Sequence, residues 1–261
     1  MKKIGTIISN TLIFSFLFFS SCEQKINQQT ELNLEDTKII KQLFDEALTS
    51  RETYELLDYL TNKIGHRLSG SKGASEAVEW TEKIMNKYDF DKVYKQDLFV
   101  PNWKRGDQEI VRIIDSNENL SVLALGMSVA TPKDGIRAKI IEVERLEDIE
   151  SLGRENIDGK IVFFNRPTDQ RLISTGSAYG GAVDQRTEGP SMAAKYGAVG
   201  VVIRSIGTAF DDVPHTGVTR YEDGVKKIPA AALGVKSADR LTEELKKNSN
   251  IELFMKMNCK T

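Results

Sequence analysis

Apolar residues along this chain fall into two patterns that mark different kinds of element. Short runs with little polar interruption occur at Ile161-Val162-Phe163-Phe164, at Val199, Val201, Val202 and Ile203, and at Ile228-Pro229-Ala230-Ala231-Ala232-Leu233. The first two are β-branched or aromatic and do not alternate, which predicts strands covered on both faces rather than strands with one face in water. Between them, Pro190 fits the first turn of a helix, Met192, Ala193 and Tyr196 give it an apolar face, and Gly197 ends it. Asp158-Gly159-Lys160 supplies the turn before the first run. Strand, helix, strand and strand make a small α/β unit, so the expected fold class is α/β.

The second pattern is helical. Ile39, Ile40, Leu43, Phe44, Ala47 and Leu48 recur at helical spacing. Thr49 to Glu52 has the form of a capping box and predicts a second helix carrying Leu56, Leu57, Leu60 and Ile64. A third carries Ala74, Ala77, Val78, Thr81, Ile84, Met85 and Tyr88 on one face, with Ser71 as its N-cap.

Ahead of these helices, Lys2 and Lys3 followed by a largely apolar stretch over 4–19 form the charged and hydrophobic regions of a secretory signal. Phe19-Ser20-Ser21-Cys22 closes it like a bacterial lipobox, which predicts lipidation of Cys22. The alternatives are an uncleaved anchor or a plain secretory signal. Residues 1–22 are thus expected to be a lipoprotein signal peptide and the polar, aperiodic residues 23–34 a tether. The expected location is the bacterial envelope, membrane-anchored through the lipid, or else secreted. Cys259 is then the remaining thiol, and no intrachain disulfide is expected. The chain's 36 basic and 38 acidic side chains are well mixed over 261 residues, leaving a net charge of -2 and no footprint for nucleic acid.

Ile64-Gly65-His66-Arg67-Leu68-Ser69-Gly70-Ser71 resembles the IGxRLxGS signature of carboxypeptidase Q and related secreted zinc exopeptidases, and Val100-Pro101-Asn102-Trp103-Lys104-Arg105-Gly106 resembles their VPxWxRG signature. Further on, Tyr179-Gly180, Gly197-Ala198-Val199, Ile203-Arg204-Ser205, His215-Thr216-Gly217 and Ile228-Pro229-Ala230-Ala231 resemble the same family's protease-associated insert. The resemblance implies an incomplete N-terminal part of an α/β/α peptidase domain over 35–119, an inserted α/β protease-associated domain over 120–247, and a strand returning to the peptidase domain over 248–261. Within that scheme, 92–100 and 109–114 read as strands joined by a turn at Trp103, and 251–257 as the returning strand.

The same resemblance implies two zinc ions in the complete enzyme, short peptides as substrates and a homodimer. It places the ligand motifs, beginning with a Gly-Gly-His-x-Asp-Ser type segment, beyond this sequence. No catalytic, cofactor-binding or metal residue is therefore assigned. A two-metal hydrolase needs several His and carboxylate ligands and a carboxylate base, whereas the chain's two His, His66 and His215, stand in unrelated loops outside any H-E-x-x-H spacing. His66 is expected to bond its own loop, Arg67 to anchor a buried carboxylate, and Trp103 with Arg105 to form a cation–π pair. Asp211, Asp212 and His215 read as a solvated turn in preference to a metal site. Gly176, Gly180 and Gly181 fit no phosphate loop, and no G-x-S-x-G elbow marks a nucleophile. Two functions are consistent with the chain: part of an exported carboxypeptidase Q-like zinc exopeptidase, inactive alone, or a non-catalytic, lipid-anchored binding protein built on the protease-associated domain.

Overall fold

The structure, a computed structural model, describes residues 33–261, so the signal stretch and Cys22 lie outside the described residues. The chain divides into two compact units, Met1–Gly65 and His66–Thr261.

In the first unit, α1 spans Leu34–Thr49, with the Asn33 side chain accepting from the Glu35 N–H at 3.1 Å. The second helix, α2, runs over Glu52–Asp58 and continues as a π-helical turn over Tyr59–Ile64. The capping box expected from Thr49 does not form. Thr49 is still helical and its hydroxyl donates back to the Asp45 carbonyl at 2.6 Å, so α2 starts with Arg51 as N-cap and no side-chain cap. None of the residues of α1 or α2 is buried, and Leu43, Phe44 and Leu48 are exposed.

The second unit opens with α3, Lys72–Met85, and here the sequence signal is realised: the Ser71 hydroxyl accepts from the Ala74 N–H at 3.2 Å. Residues 92–100, expected to be a strand, form none. Apolar residues make a strand only where a neighbour supplies the ladder, and the segment pairs with no described strand. Tyr94, Leu98 and Phe99 are exposed instead.

The core of this unit is one sheet of eight strands. They are β1 Ile110–Ile113, β2 Glu118–Leu120, β3 Val122–Ala124, β4 Ile136–Val143, β5 Ile161–Phe164, β6 Gly200–Arg204, β7 Ala230–Leu233 and β8 Glu252–Lys256. Their spatial order is β2-β1-β8-β4-β5-β6-β7-β3. The run from β4 to β7 is parallel, and antiparallel strands flank it on both sides.

This order has a geometric consequence. Laid flat, eight strands span seven spacings of about 4.8 Å, roughly 34 Å, yet the two end strands β2 and β3 are separated in sequence by Ser121 alone. A single residue cannot bridge that width, so the sheet curls until its ends meet. The seam is pinned from α9, Val235–Lys247: the Ser121 N–H donates to the Ser237 hydroxyl at 2.8 Å, and the Gly234 N–H donates to the Ser121 carbonyl at 3.0 Å.

Curling separates two faces, and the period of two along each strand sorts side chains between them. Ile161, Phe163, Val202, Ala231, Leu233, Leu253 and Met255 point into one cluster, closed by Trp103 and by Ala238 and Leu241 of α9. Val162, Phe164, Val201, Ile203, Ala230 and Ala232 point into the other, which is covered by short helices. These are α4 Leu146–Leu152, α5 Arg154–Ile157, α6 Thr175–Gly180, α7 Asp184–Thr187 and α8 Gly189–Lys195. The α/β class and the doubly covered strands expected from the apolar runs are thus present.

The hydrogen-bonded sheet runs across the expected boundaries at residues 120 and 247. Strand β8 lies between β1 and β4, bonded to both, with Val111 opposite Met255 and Ala138 opposite Leu253. Strands assigned to the flanks therefore sit inside the hydrogen-bonded sheet of the proposed insert. The physical reason is that β4 would otherwise present an unpaired edge and leave Leu253 and Met255 without a core.

Candidate functional site

Within the second unit, stretches far apart in sequence meet around a groove of about 380 Å³. Leu68 and Ser69 come from the first motif, Pro101, Trp103 and Arg105 from the second, and Thr216 and Gly217 from the His-Thr-Gly stretch, with Gly126, Met127 and Val218 completing the wall. Gly70 allows the first two to approach. Its φ is +73°, and a Cβ there would lie 3.0 Å from both the Asn102 Cα and the Pro101 carbonyl oxygen.

The second motif is held by its own polar groups. The buried Trp103 indole donates to the Ser128 carbonyl at 2.9 Å, and the Arg105 guanidinium stacks 5.3 Å from the Trp103 ring, which is the pair read from the sequence. Behind it is a carboxylate that the sequence reading passed over. Glu109 is buried, accepts from the Ala124 N–H at 3.0 Å, and lies 3.2 Å from Arg105 Nε as an ion pair without an aligned hydrogen bond. Arg105 Nη2 donates to the Ala124 carbonyl at 3.3 Å, so Arg105 and Glu109 together grip both backbone groups of the β3 terminus. Their i,i+4 spacing was no signal, because it brings side chains together on a helix and residues 105–109 are not helical.

Met127 carries no signal either. Its φ is +69°, a conformation that disfavours L side chains, in the wall of the groove. Gly217, whose carbonyl accepts from the Gly126 N–H at 2.8 Å, sits where a Cβ would lie 2.5 Å from the Arg186 guanidinium carbon. Arg186 is itself buried and stacks 5.4 Å from the Tyr179 ring, to whose hydroxyl its Nη2 donates at 2.5 Å.

The remaining residues singled out in the sequence lie apart from the groove. His66 and Arg67 are exposed. The His215 backbone N–H donates to the Ser205 hydroxyl at 2.7 Å, and its Nδ1 is 2.5 Å from the Ile206 carbonyl oxygen, to which it donates. Asp212 does not join His215. Its carboxylate accepts from the backbone N–H and the hydroxyl of Ser237, at 2.8 and 2.9 Å, and so anchors the start of α9. Cys259 is buried next to Met257 and Trp103, and burial, then the charge of Glu109, pushes its thiol up to about 11. At neutral pH it is an inert thiol.

Bovine (Bos taurus) carboxypeptidase Q is 32% identical over 209 residues, covering 80% of this chain and 42% of its own length. Carboxypeptidase Q of Xenopus laevis is 32% identical over 245 residues, covering 90% of this chain and 50% of its own. The crystal structure of a peptidase M28 precursor from Shewanella amazonensis superimposes with a TM-score of 0.78 at 36% identity, over 85% of this chain and 50% of that one. The chain is carboxypeptidase Q-like. No protein-family profile matches it. This carboxypeptidase Q-like chain spans about half the length, or somewhat less, of the relatives it matches.

A zinc centre of the kind the resemblance implies needs three or more His, Cys, Asp or Glu side chains converging on one point. Among the described residues no such group occurs, and the donors that do stand close together are already committed, as Asp212 is to Ser237 and Glu109 to Ala124 and Arg105. The residues of this carboxypeptidase Q-like chain that are described do not fit a zinc site.

Proposed function

We propose that this chain provides the scaffold and a substrate-facing groove of an exported zinc exopeptidase that acts on short peptides, with the metal ligands drawn from residues other than those described. The observation that carries the reading is the convergence of the two signature stretches and the His-Thr-Gly stretch on one groove, in a chain 32% identical to bovine carboxypeptidase Q. The segment over 120–247 is read as a protease-associated domain, completed in its sheet by β1, β2 and β8.

On this reading the 261-residue chain by itself turns over no dipeptide. Purified protein is assayed against a panel of dipeptides with added zinc, and bound metal is quantified by elemental analysis. The expected result is background hydrolysis and no stoichiometric zinc. Chelator-sensitive turnover with about two tightly held zinc ions per chain would overturn it.

Export is proposed from Phe19-Ser20-Ser21-Cys22 after the apolar stretch. Radiolabelled palmitate is expected to enter the wild-type chain in cells and to be absent from Cys22→Ala. Labelling that persists in the variant contradicts lipidation at this residue.

A further inference from the structure

Arg105 is the charged residue of the groove; the others that line it are apolar or glycine, apart from Ser69 and Thr216. Its side chain is 34% exposed, against 3% for Glu109 behind it. Nε faces Glu109 and Nη2 donates to the Ala124 carbonyl, which leaves Nη1 with no partner among the described residues. The stack on Trp103 and the grip on Ala124 hold the guanidinium in one orientation, so its free edge is fixed in advance of any ligand. A guanidinium edge presented in a largely apolar setting selects an acceptor that is itself charged, and a carboxylate matches its fork.

The neighbouring surface selects what that carboxylate is attached to. Leu68, Pro101, Met127 and Val218 provide an apolar wall, Leu68 and Val218 being exposed in the free chain. A volume of about 380 Å³ falls at the lower end for ligand pockets, which accommodates one or two residues rather than a long segment. The positive φ of Met127 marks a place where strain is held beside the groove.

We propose that this groove binds the C-terminal end of a short peptide, with an aliphatic or aromatic side chain against Pro101, Met127 and Val218 and the free α-carboxylate on Arg105. The proposal rests on the peptidase reading for the class of ligand, but it requires neither a metal ion nor turnover.

The test is equilibrium binding of leucyl-phenylalanine and of its C-terminal amide to the full chain with chelator present. Trp103 in the groove wall is the fluorescent reporter, with Trp80→Phe removing the other indole. Saturable binding of the free acid is expected, with the amide at least about tenfold weaker because the charge-assisted contact is lost. Val218→Phe fills the mouth from an exposed side chain and leaves the backbone bridge to Gly126 intact, so it should weaken the acid by a similar factor while leaving the circular dichroism unchanged. No saturable signal, equal binding of acid and amide, or indifference to Val218→Phe would each overturn the proposal. Because zinc and hydrolysis play no part in the readout, the absence of peptidase activity leaves it standing, and a functional peptidase with an empty groove defeats it alone.

Discussion

A fragment covering residues 120–247 is expected to be unfolded, whereas one covering 103–261 is expected to fold cooperatively. The shorter fragment loses β1, all of β2 but Leu120, and β8, which is bonded to β1 on one side and to β4 on the other. It also loses Ile251, Leu253, Met255 and Met257, each 2% exposed or less. At about 1.5–3 kcal/mol per buried side chain, those four alone are comparable with the 5–15 kcal/mol that separates folded from unfolded chains. The longer fragment keeps Trp103 and the bridge between Lys104 and Lys260. Thermal melts followed by far-UV circular dichroism distinguish the two. A sharp transition in the 120–247 fragment would show that the parallel strands and β3 stand without β1, β2 and β8.

Phe163→Ala is expected to cost about 3–5 kcal/mol of stability, the range for emptying a fully buried aromatic site. Phe163 is 0% exposed at the middle of β5, with strands bonded on both sides, and shares its cluster with Ile161, Val202, Leu233 and Leu253. Neighbouring backbone is fixed by two ladders, so the cavity has little room to collapse. Phe99→Ala is the control, since Phe99 is fully exposed and its replacement should stay within about 0.5 kcal/mol. Urea denaturation of both variants checks the pair. A Phe163→Ala loss below about 1 kcal/mol would place that side chain outside the core.

The contrast between those two phenylalanines also shows how far the chain could be read from its residues. Ile161-Val162-Phe163-Phe164 advertises a strand covered on both faces because no polar residue interrupts it, and β5 is that strand. The stretch around Phe99 is apolar at Val93, Tyr94, Leu98, Phe99 and Val100 but is interrupted by Lys95-Gln96-Asp97, and a strand is a property of pairs whose partner is not encoded locally. The same limit explains β8. Its existence is visible in its own residues, but its insertion between β1 and β4 depends on the pairing of Val111 with Met255, which are 255 − 111 = 144 positions apart. At the groove, the two signature stretches were legible as motifs and the Trp103–Arg105 stack as a spacing. Met127 was not, since a left-handed residue usually declares itself through Gly, Asn or Asp. The role of Asp212 was misdirected by its neighbour His215, because proximity in sequence says nothing about Ser237, the group it reaches.

The place of β8 also sets a timetable during synthesis. Strands β1 and β4 leave the ribosome well before residues 252–256, and until those arrive each waits with an open edge facing a gap of one strand. Every other neighbour in the sheet is already available, so the last described strand to be made is a keystone rather than a trim. The nascent sheet is therefore held open by the order of translation until residues 252–256 close it.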